Sequence, residues 1–256
     1  MKPFERNRGC RGFHERNVMI IIPARVASSR FPGKVLADIQ GLPMVIATAK
    51  RVEEVDEVAI ATDAKEVMDV AKQYGFQAVM TSDVHKSGTD RINEAAKILG
   101  VVQDEIVVNV QADEPFIEPE VVEGVYRRVR RAVESGEEIM MASCYKRIDP
   151  SFADDPNHVK VIMDEAGYAI YFSRSKIPYD REEHHDYYGH LGIYGFTGRS
   201  LEKFCTLGVS PLEDIEKLEQ LRALYYGKKI AMVEVESRSF GIDTKEDLEK
   251  ALKIFG

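Results

Sequence analysis

The sequence predicts an α/β fold: an open, mostly parallel sheet with helices on both faces, followed by an antiparallel extension. Three observations carry this. Short apolar runs alternate with amphipathic stretches through the first half of the chain. Prolines and glycines sit where the helices between those runs should start and stop. After Gly136 the rhythm changes to strand-like runs with fewer helices between them.

Taken in order, "NVMIIIPAR" is a continuous apolar run and reads as a buried strand. "LPMVIATAKRVEEV" opens with Pro43 and carries apolar residues at helical spacing. "EVAIATD" is a second strand, "KEVMDVAKQYG" a helix ended by Gly75, and "FQAVMT" a third strand. "GTDRINEAAKILG" is a helix closed by Gly100, and "EIVVNVQ" a fourth strand. "EPEVVEGVYRRVRRAVESG" is a helix with Pro119 in its first turn and Gly136 past its end. "IMMASCYKR", "VKVIMD", "YAIYFSR" and "HLGIYGFT" read as strands, with "DEAG" as a hairpin turn. "SPLEDIEKLEQLRALYYG" reads as one amphipathic helix with Leu212, Ile215, Leu218, Leu221 and Tyr225 on a single face. "KIAMVEVE" is a last strand and "TKEDLEKALKIF" a final helix.

At 256 residues, 44% hydrophobic and 30% charged, the chain has the size and composition of one large globular domain. The expected division is an N-terminal extension over 1–17 and one domain over 18–256, with an antiparallel lobe over roughly 137–200. The extension reads as a disordered segment or a misassigned start, since Met19 would open the first strand. A net charge of −8 disfavours nucleic acid as a partner. Cys10, Cys144 and Cys205 form no CxxC pair and read as reduced thiols. No apolar run approaches a membrane span and the opening segment has no apolar signal region, so a cytoplasmic protein is expected, with no membrane partner.

Against that acidic background, the loop after the first strand, "PARVASSRFPGK", presents Arg25, Arg30 and Lys34 among small residues. Ligands of doubly wound sheets bind beyond the carboxyl ends of the strands, and arginine forks and lysine ammoniums grip phosphate oxygens. A solvated basic loop is the bland alternative. Neither GxxxxGK[ST] nor GxGxxG follows this strand, which excludes a P-loop NTPase and an ordinary dinucleotide site. "NVQADEP" places Asp113 and Glu114 directly after the fourth strand, where both carboxylates should emerge at the same sheet edge. In "FGIDTKED" either Asp243 or Thr244 could simply cap the last helix. Carboxylates beside a triphosphate repel it by about 4 kcal/mol per unit pair at ~4 Å and an effective dielectric of ~20. A divalent cation between them, best Mg²⁺ on oxygen ligands, resolves that repulsion.

"IIPARVASSRFPGK", "ATDAKEV", "SGTDR", "NVQADEP", "VKVIMD", "YFSRSKIP", "HLGIYGF", "PLEDIEKLEQLRALYYG" and "GIDTKEDL" occur in this order. Together they resemble the 3-deoxy-manno-octulosonate cytidylyltransferase (CMP-Kdo synthetase) family, from about Val18 to Phe255. The resemblance implies a Rossmann-like nucleotidyltransferase core with a dimer-forming antiparallel arm, hence a homodimer. It implies the reaction of CTP with Kdo to give CMP-Kdo and pyrophosphate, for lipopolysaccharide biosynthesis. By motif, it implies that Arg25, Arg30 and Lys34 bind the triphosphate and that Ser87, Gly88 and Arg91 hold the nucleotide. It implies Asp113 and Asp243 as metal ligands. Gln111, Arg174, His190, Tyr194, Glu219 and Gln220 become the sugar pocket, Arg174 being suited to the sugar's carboxylate. The implied catalytic set is Lys34, Arg25, Asp113 and Asp243. Three departures stand out: Ala112 where the family usually has glycine, Asp90 where glutamate is common, and no proline-glycine turn before Asp243. "SGTDR" and the altered loop also occur in relatives that activate 8-amino-Kdo, so a cytidylyltransferase for that sugar, or for a sialic acid, is the alternative reading.

Overall fold

The computed structural model describes residues 18–27, 30–85, 87–182 and 186–256. The N-terminal extension read over 1–17, and Ser28 and Ser29 of the basic loop, lie outside the described residues.

The first half follows the predicted alternation. Strand β1 (Val18–Ala24) is followed by a small hairpin, β2 (Asp38–Ile39) and β3 (Leu42–Pro43), that the apolar pattern did not signal. Then come α1 (Met44–Val52), β4 (Glu57–Thr62), α2 (Lys65–Gln73), β5 (Gln77–Met80), α3 (Gly88–Ile98), β6 (Ile106–Asn109) and α4 (Pro119–Ser135). Pro43 stands immediately before α1, Pro119 opens α4 and Gly136 closes it in the left-handed region, as the punctuation predicts.

The second half contains β7 (Met141–Ile148), β8 (Lys160–Met163), β9 (Ala169–Ser173), β10 (Tyr187–Thr197), α5 (Gly198–Thr206), α6 (Pro211–Glu216), α7 (Leu221–Tyr225), β11 (Ile230–Glu234) and α8 (Lys245–Phe255). The single amphipathic helix expected over "SPLEDIEKLEQLRALYYG" is a correction: it is two short helices, α6 and α7. The chain breaks at Lys217, which takes φ 54°, ψ 45°. Two of the five residues assigned to the apolar face point outward, Ile215 at 77% exposure and Tyr225 at 51%. An ion pair spans the break: Arg222 of α7 folds back onto Glu213 of α6 through two bonds of 2.9 and 2.6 Å, while Leu218 and Leu221 stay in the core.

The main sheet runs β11-β7-β10-β6-β1-β4-β5, with β8 and β9 added beside β10. β6, β1, β4 and β5 are mutually parallel, while β10 is antiparallel to both β6 and β7. The antiparallel extension is thus a continuation of the same sheet. One face, with Ile20, Ile22 and Ile60, packs against α1, α2 and α4. The other, with Met19, Ile21 and Phe196, packs against α3, α5 and α7. β1 has β4 on one side and β6 on the other, so the strand order reverses beside it. The loops after β1 and β6 open on that reversal point, where a crevice forms in such sheets.

Candidate active site

A cavity of about 440 Å³ lies at this point, lined by Arg25, Arg30, Lys34, Ser87, Gly88, Arg91, Gln111, Asp113 and Asp243 among others. Nine of the sequence-predicted residues thus meet in one place, drawn from the loop after β1, the start of α3, the loop after β6 and the approach to α8.

Local structure explains each position. Gly33 takes φ 69°, a conformation costly for any residue with a Cβ, and caps a single 3₁₀ turn begun by Lys34. The turn throws Lys34 back across the cavity. Its Nζ donates to Asp113 Oδ2 at 2.5 Å, to Asp243 Oδ1 at 2.8 Å and to the Ile242 carbonyl at 3.2 Å. Arg30 Nη2 donates to Asp243 Oδ2 at 2.7 Å. Burial opposes the charge on Lys34, but the two carboxylates outweigh it and its pKa is raised. Burial would likewise raise Asp243, yet Lys34 and Arg30 hold it below the usual carboxylate range.

Asp243 reaches Asp113 through the C-terminal packing. Phe255 of α8 stacks on Phe116 with ring centroids 4.5 Å apart, and the Ile242 N–H donates to the Asp113 carbonyl at 2.9 Å. Thr244, not Asp243, caps α8, in a capping box with Asp247. That leaves the Asp243 carboxylate to the cavity. Glu114 corrects the expectation that both carboxylates of "NVQADEP" emerge together: it turns inward, is 7% exposed and accepts from Ser239 Oγ at 2.6 Å. Burial pushes its pKa up to about 7 despite that bond.

Ser87 is the N-cap of α3, bonded to Asp90 by both backbone and side chain. At Gly88 a Cβ would come within 3.2 Å of Pro23 and 3.5 Å of Gln111 Oε1, a tight fit in which Pro23 would have to give slightly. Arg91 is nearly buried, and Thr81 Oγ1 at 2.6 Å and Asp63 Oδ2 at 2.7 Å fix its guanidinium.

Of the residues that the resemblance implies for the sugar, all but Arg174 adjoin one another, with Tyr194 paired to Asn109 across β10 and β6. Gln111 lines the cavity and donates to Asn109 Oδ1 at 3.3 Å; Asn109 in turn reaches Thr89 Oγ1 at 3.5 Å. Thr89 also bonds the Glu219 carboxylate, whose pKa burial nevertheless raises. Glu219 Oε2 is buried and has no hydrogen-bond partner among the described residues. His190, Tyr194 and Gln220 form one cluster: Tyr194 donates to Gln220 Oε1 at 3.0 Å, and Gln220 Nε2 lies 3.4 Å from His190 Nδ1. Arg174 stands apart from the cavity lining. Its Nε and Nη1 donate to the carbonyls of Glu216 and Pro156 at 2.8 and 2.9 Å, tying the end of β9 to α6.

Several lining or linking residues escaped the sequence reading. Lys217 lines the cavity because of the break that the helical periodicity concealed. His85 lines it while paired with Glu94. Asp63, Thr89 and Asn109 look like strand-end and helix-start polar residues in sequence; their signal is only that each follows or faces a motif residue.

Comparison with known proteins gives the family. A family model described as cytidylyltransferase matches residues 19–230. A 3-deoxy-manno-octulosonate cytidylyltransferase from a Nitratiruptor species is 60% identical over 232 residues, 91% of this chain and 97% of that protein. One from Wolinella succinogenes is 52% identical over 242 residues, 93% of this chain and 99% of that protein. A solved CMP:2-keto-3-deoxy-manno-octonic acid synthetase complexed with CTP superposes with a TM-score of 0.85 at 38% identity, covering 93% of this chain and 97% of that one. On the family match and these relatives together, the chain belongs to the 3-deoxy-manno-octulosonate cytidylyltransferase family.

Proposed function

We propose that this chain joins CTP to 3-deoxy-D-manno-octulosonate, giving CMP-Kdo and pyrophosphate for lipopolysaccharide biosynthesis. The observation that carries the reading is the convergence of Arg25, Arg30 and Lys34 with Asp113 and Asp243 in one cavity at the sheet's reversal point. The solved relative holding CTP supports it.

The reaction is a displacement at phosphorus. The sugar's anomeric hydroxyl loses its proton to solvent as its oxygen bonds the α-phosphorus, the bond from that phosphorus to the bridging oxygen breaks, and pyrophosphate departs with the electron pair. Arg25, Arg30 and Lys34 bind the triphosphate, and Lys34 and Arg25 offset the charge that grows on the leaving group. Gly88 admits the nucleotide close to the backbone, and Ser87 and Arg91 hold it. Glu219 Oε2, buried and without a donor, suits a sugar hydroxyl. His190, Tyr194, Gln220 and Gln111 complete the sugar pocket, and Arg174 must leave its two carbonyls to reach the sugar's carboxylate.

Asp113 and Asp243 already aim at one positive charge, the Lys34 ammonium. Two carboxylates with phosphate and water oxygens are a donor set that fits Mg²⁺. When bound there, Mg²⁺ would screen the phosphates and lower the pKa of the attacking hydroxyl.

We place the enzyme in the cytoplasm, a reading supported by the free thiols of Cys144 and Cys205. Among the described residues no helix is long and apolar enough to cross a membrane. We also read it as a homodimer built on the antiparallel extension. Among the described residues β9 pairs within the main sheet with β8 alone, and Ile170 on it is 55% exposed. Such an edge suits pairing with a second copy.

The test of substrate is product analysis by mass after incubation with CTP, Mg²⁺ and each of Kdo, 8-amino-Kdo and a sialic acid. Kdo should be preferred by at least about tenfold in kcat/KM, the scale of one good polar discrimination. A preference for another acid would reassign the sugar.

A further inference from the structure

β10 carries a bulge. Its pairing with β7 runs Leu191 to Cys144 and then Tyr194 to Ser143, so Gly192 and Ile193 fall outside the ladder. Ser143, fully buried on β7, faces this bulge. Its Oγ lies 2.8 Å from the Ile193 carbonyl, 3.4 Å from the Leu191 carbonyl and 2.8 Å from His190 Nε2. A hydroxyl has one proton, and a carbonyl can only accept. The short bond to Ile193 therefore takes the Ser143 proton, and Ser143 accepts from His190. The imidazole then carries its hydrogen on Nε2 and leaves Nδ1 as an acceptor for Gln220 Nε2–H. The Gln220 oxygen is left to accept from the Tyr194 hydroxyl. Every bond in the series points one way, toward the bulge. The opposite polarity would take the Ser143 proton from both bulge carbonyls.

We propose that Ser143 is a positioning residue for the sugar pocket: it sets the His190 tautomer and, through it, the direction of the Gln220 and Tyr194 hydrogen bonds. With this polarity Gln220 keeps one N–H to donate and the Tyr194 oxygen is left to accept. With the opposite polarity the amide is turned over and Tyr194 becomes the acceptor of its N–H, leaving its own proton to donate elsewhere. A sugar acid whose hydroxyls and carboxylate match one pattern is mismatched to the other. Burial favours a neutral imidazole, with the His190 pKa lowered to about 3, so the tautomer rather than the charge is what Ser143 controls. This inference rests on the reading of His190, Tyr194 and Gln220 as sugar-binding residues.

The test joins a spectroscopic and a kinetic readout on the full chain. Nitrogen-15 NMR, with the His190 signal assigned by its loss in His190→Asn, should show the Nε2–H tautomer in the wild type. Ser143→Ala should lose that preference and raise KM for Kdo about tenfold, the scale of one mismatched hydrogen bond, while KM for CTP stays within about twofold. Ser143→Thr, which keeps the hydroxyl on a strand position that suits a β-branched residue, should restore both. An Nδ1–H tautomer in the wild type overturns the proposal. So does Ser143→Ala with a lowered melting temperature but unchanged KM for Kdo, which would make Ser143 a packing residue only. Failure of the underlying pocket assignment looks different: His190→Asn itself would leave KM for Kdo unchanged.

Discussion

Lys34 holds two carboxylates together, and on the proposed reading the same charge meets the leaving pyrophosphate. Its contact with the β-phosphate should strengthen as charge moves there, so removing it should lower kcat more than it raises KM for CTP. Lys34→Met keeps the stem and deletes the charge; a loss in kcat of about 10²-fold is expected, measured by steady-state kinetics. Wild-type kcat and KM would reduce "PARVASSRFPGK" to a solvated loop. His190 gives a second, thermodynamic prediction. Its folded pKa of about 3 lies below the ordinary histidine value near 6.5. Between those values the unfolded chain binds a proton that the folded chain does not, so stability falls as pH drops below about 6.5, by up to about 1.4 kcal/mol per pH unit. Urea unfolding of wild type and His190→Asn at pH 7.5 and 5.5 should show a smaller pH loss in the variant; equal losses would mean that His190 is solvated.

At the scale of elements, the informative feature is the break between α6 and α7. Arg222 is 3% exposed, pairs with Glu213 at 2.6 Å, lies over the Phe204 ring at 4.8 Å and comes within 3.6 Å of Asp90 on α3. It thus ties the turn carrying Glu219 and Gln220 to α3, the helix that begins at the cavity. Arg222→Met would strand the Glu213 carboxylate among buried groups, at a cost of about 3 kcal/mol, readable in urea unfolding; a change under ~0.5 kcal/mol would contradict the clamp. The sequence reading could not see this break. Leu212, Ile215, Leu218, Leu221 and Tyr225 do repeat at helical spacing, but periodicity does not register a buried ion pair that folds the segment in two, and Lys217 carries no glycine to mark its left-handed backbone. Where burial of apolar surface decides, the outcome was legible: β1, β4, β6 and α4 fall where their apolar spacing and their proline and glycine boundaries put them. The cavity was legible in its chemistry but not in its wiring. Arg25, Arg30, Lys34, Asp113 and Asp243 follow strands or precede a helix, so topology brings them together. Ser143, Thr89 and Asn109 are ordinary polar residues until the fold shows what they face.

Over the whole molecule, one sheet carries both halves of the proposed reaction. Its parallel part presents the cavity proposed for the nucleotide, and its antiparallel continuation, through β10, carries His190 and Tyr194. That same continuation leaves β9 as an edge, and sedimentation at micromolar concentration should find twice the 28.9 kDa chain mass; a lone monomer would contradict the dimer while leaving the chemistry intact. The central claim is chemical, that this cavity joins a cytidine nucleotide to a sugar acid with the help of a divalent cation at Asp113 and Asp243. It is tested most directly by pyrophosphate release from each of the four nucleoside triphosphates, with and without Kdo, before and after EDTA treatment and dialysis. The account predicts release from CTP alone among the four, only with Kdo present, abolished by EDTA and restored by Mg²⁺. Pyrophosphate released without Kdo, equally from all four nucleotides, or undiminished after the metal is removed would contradict it.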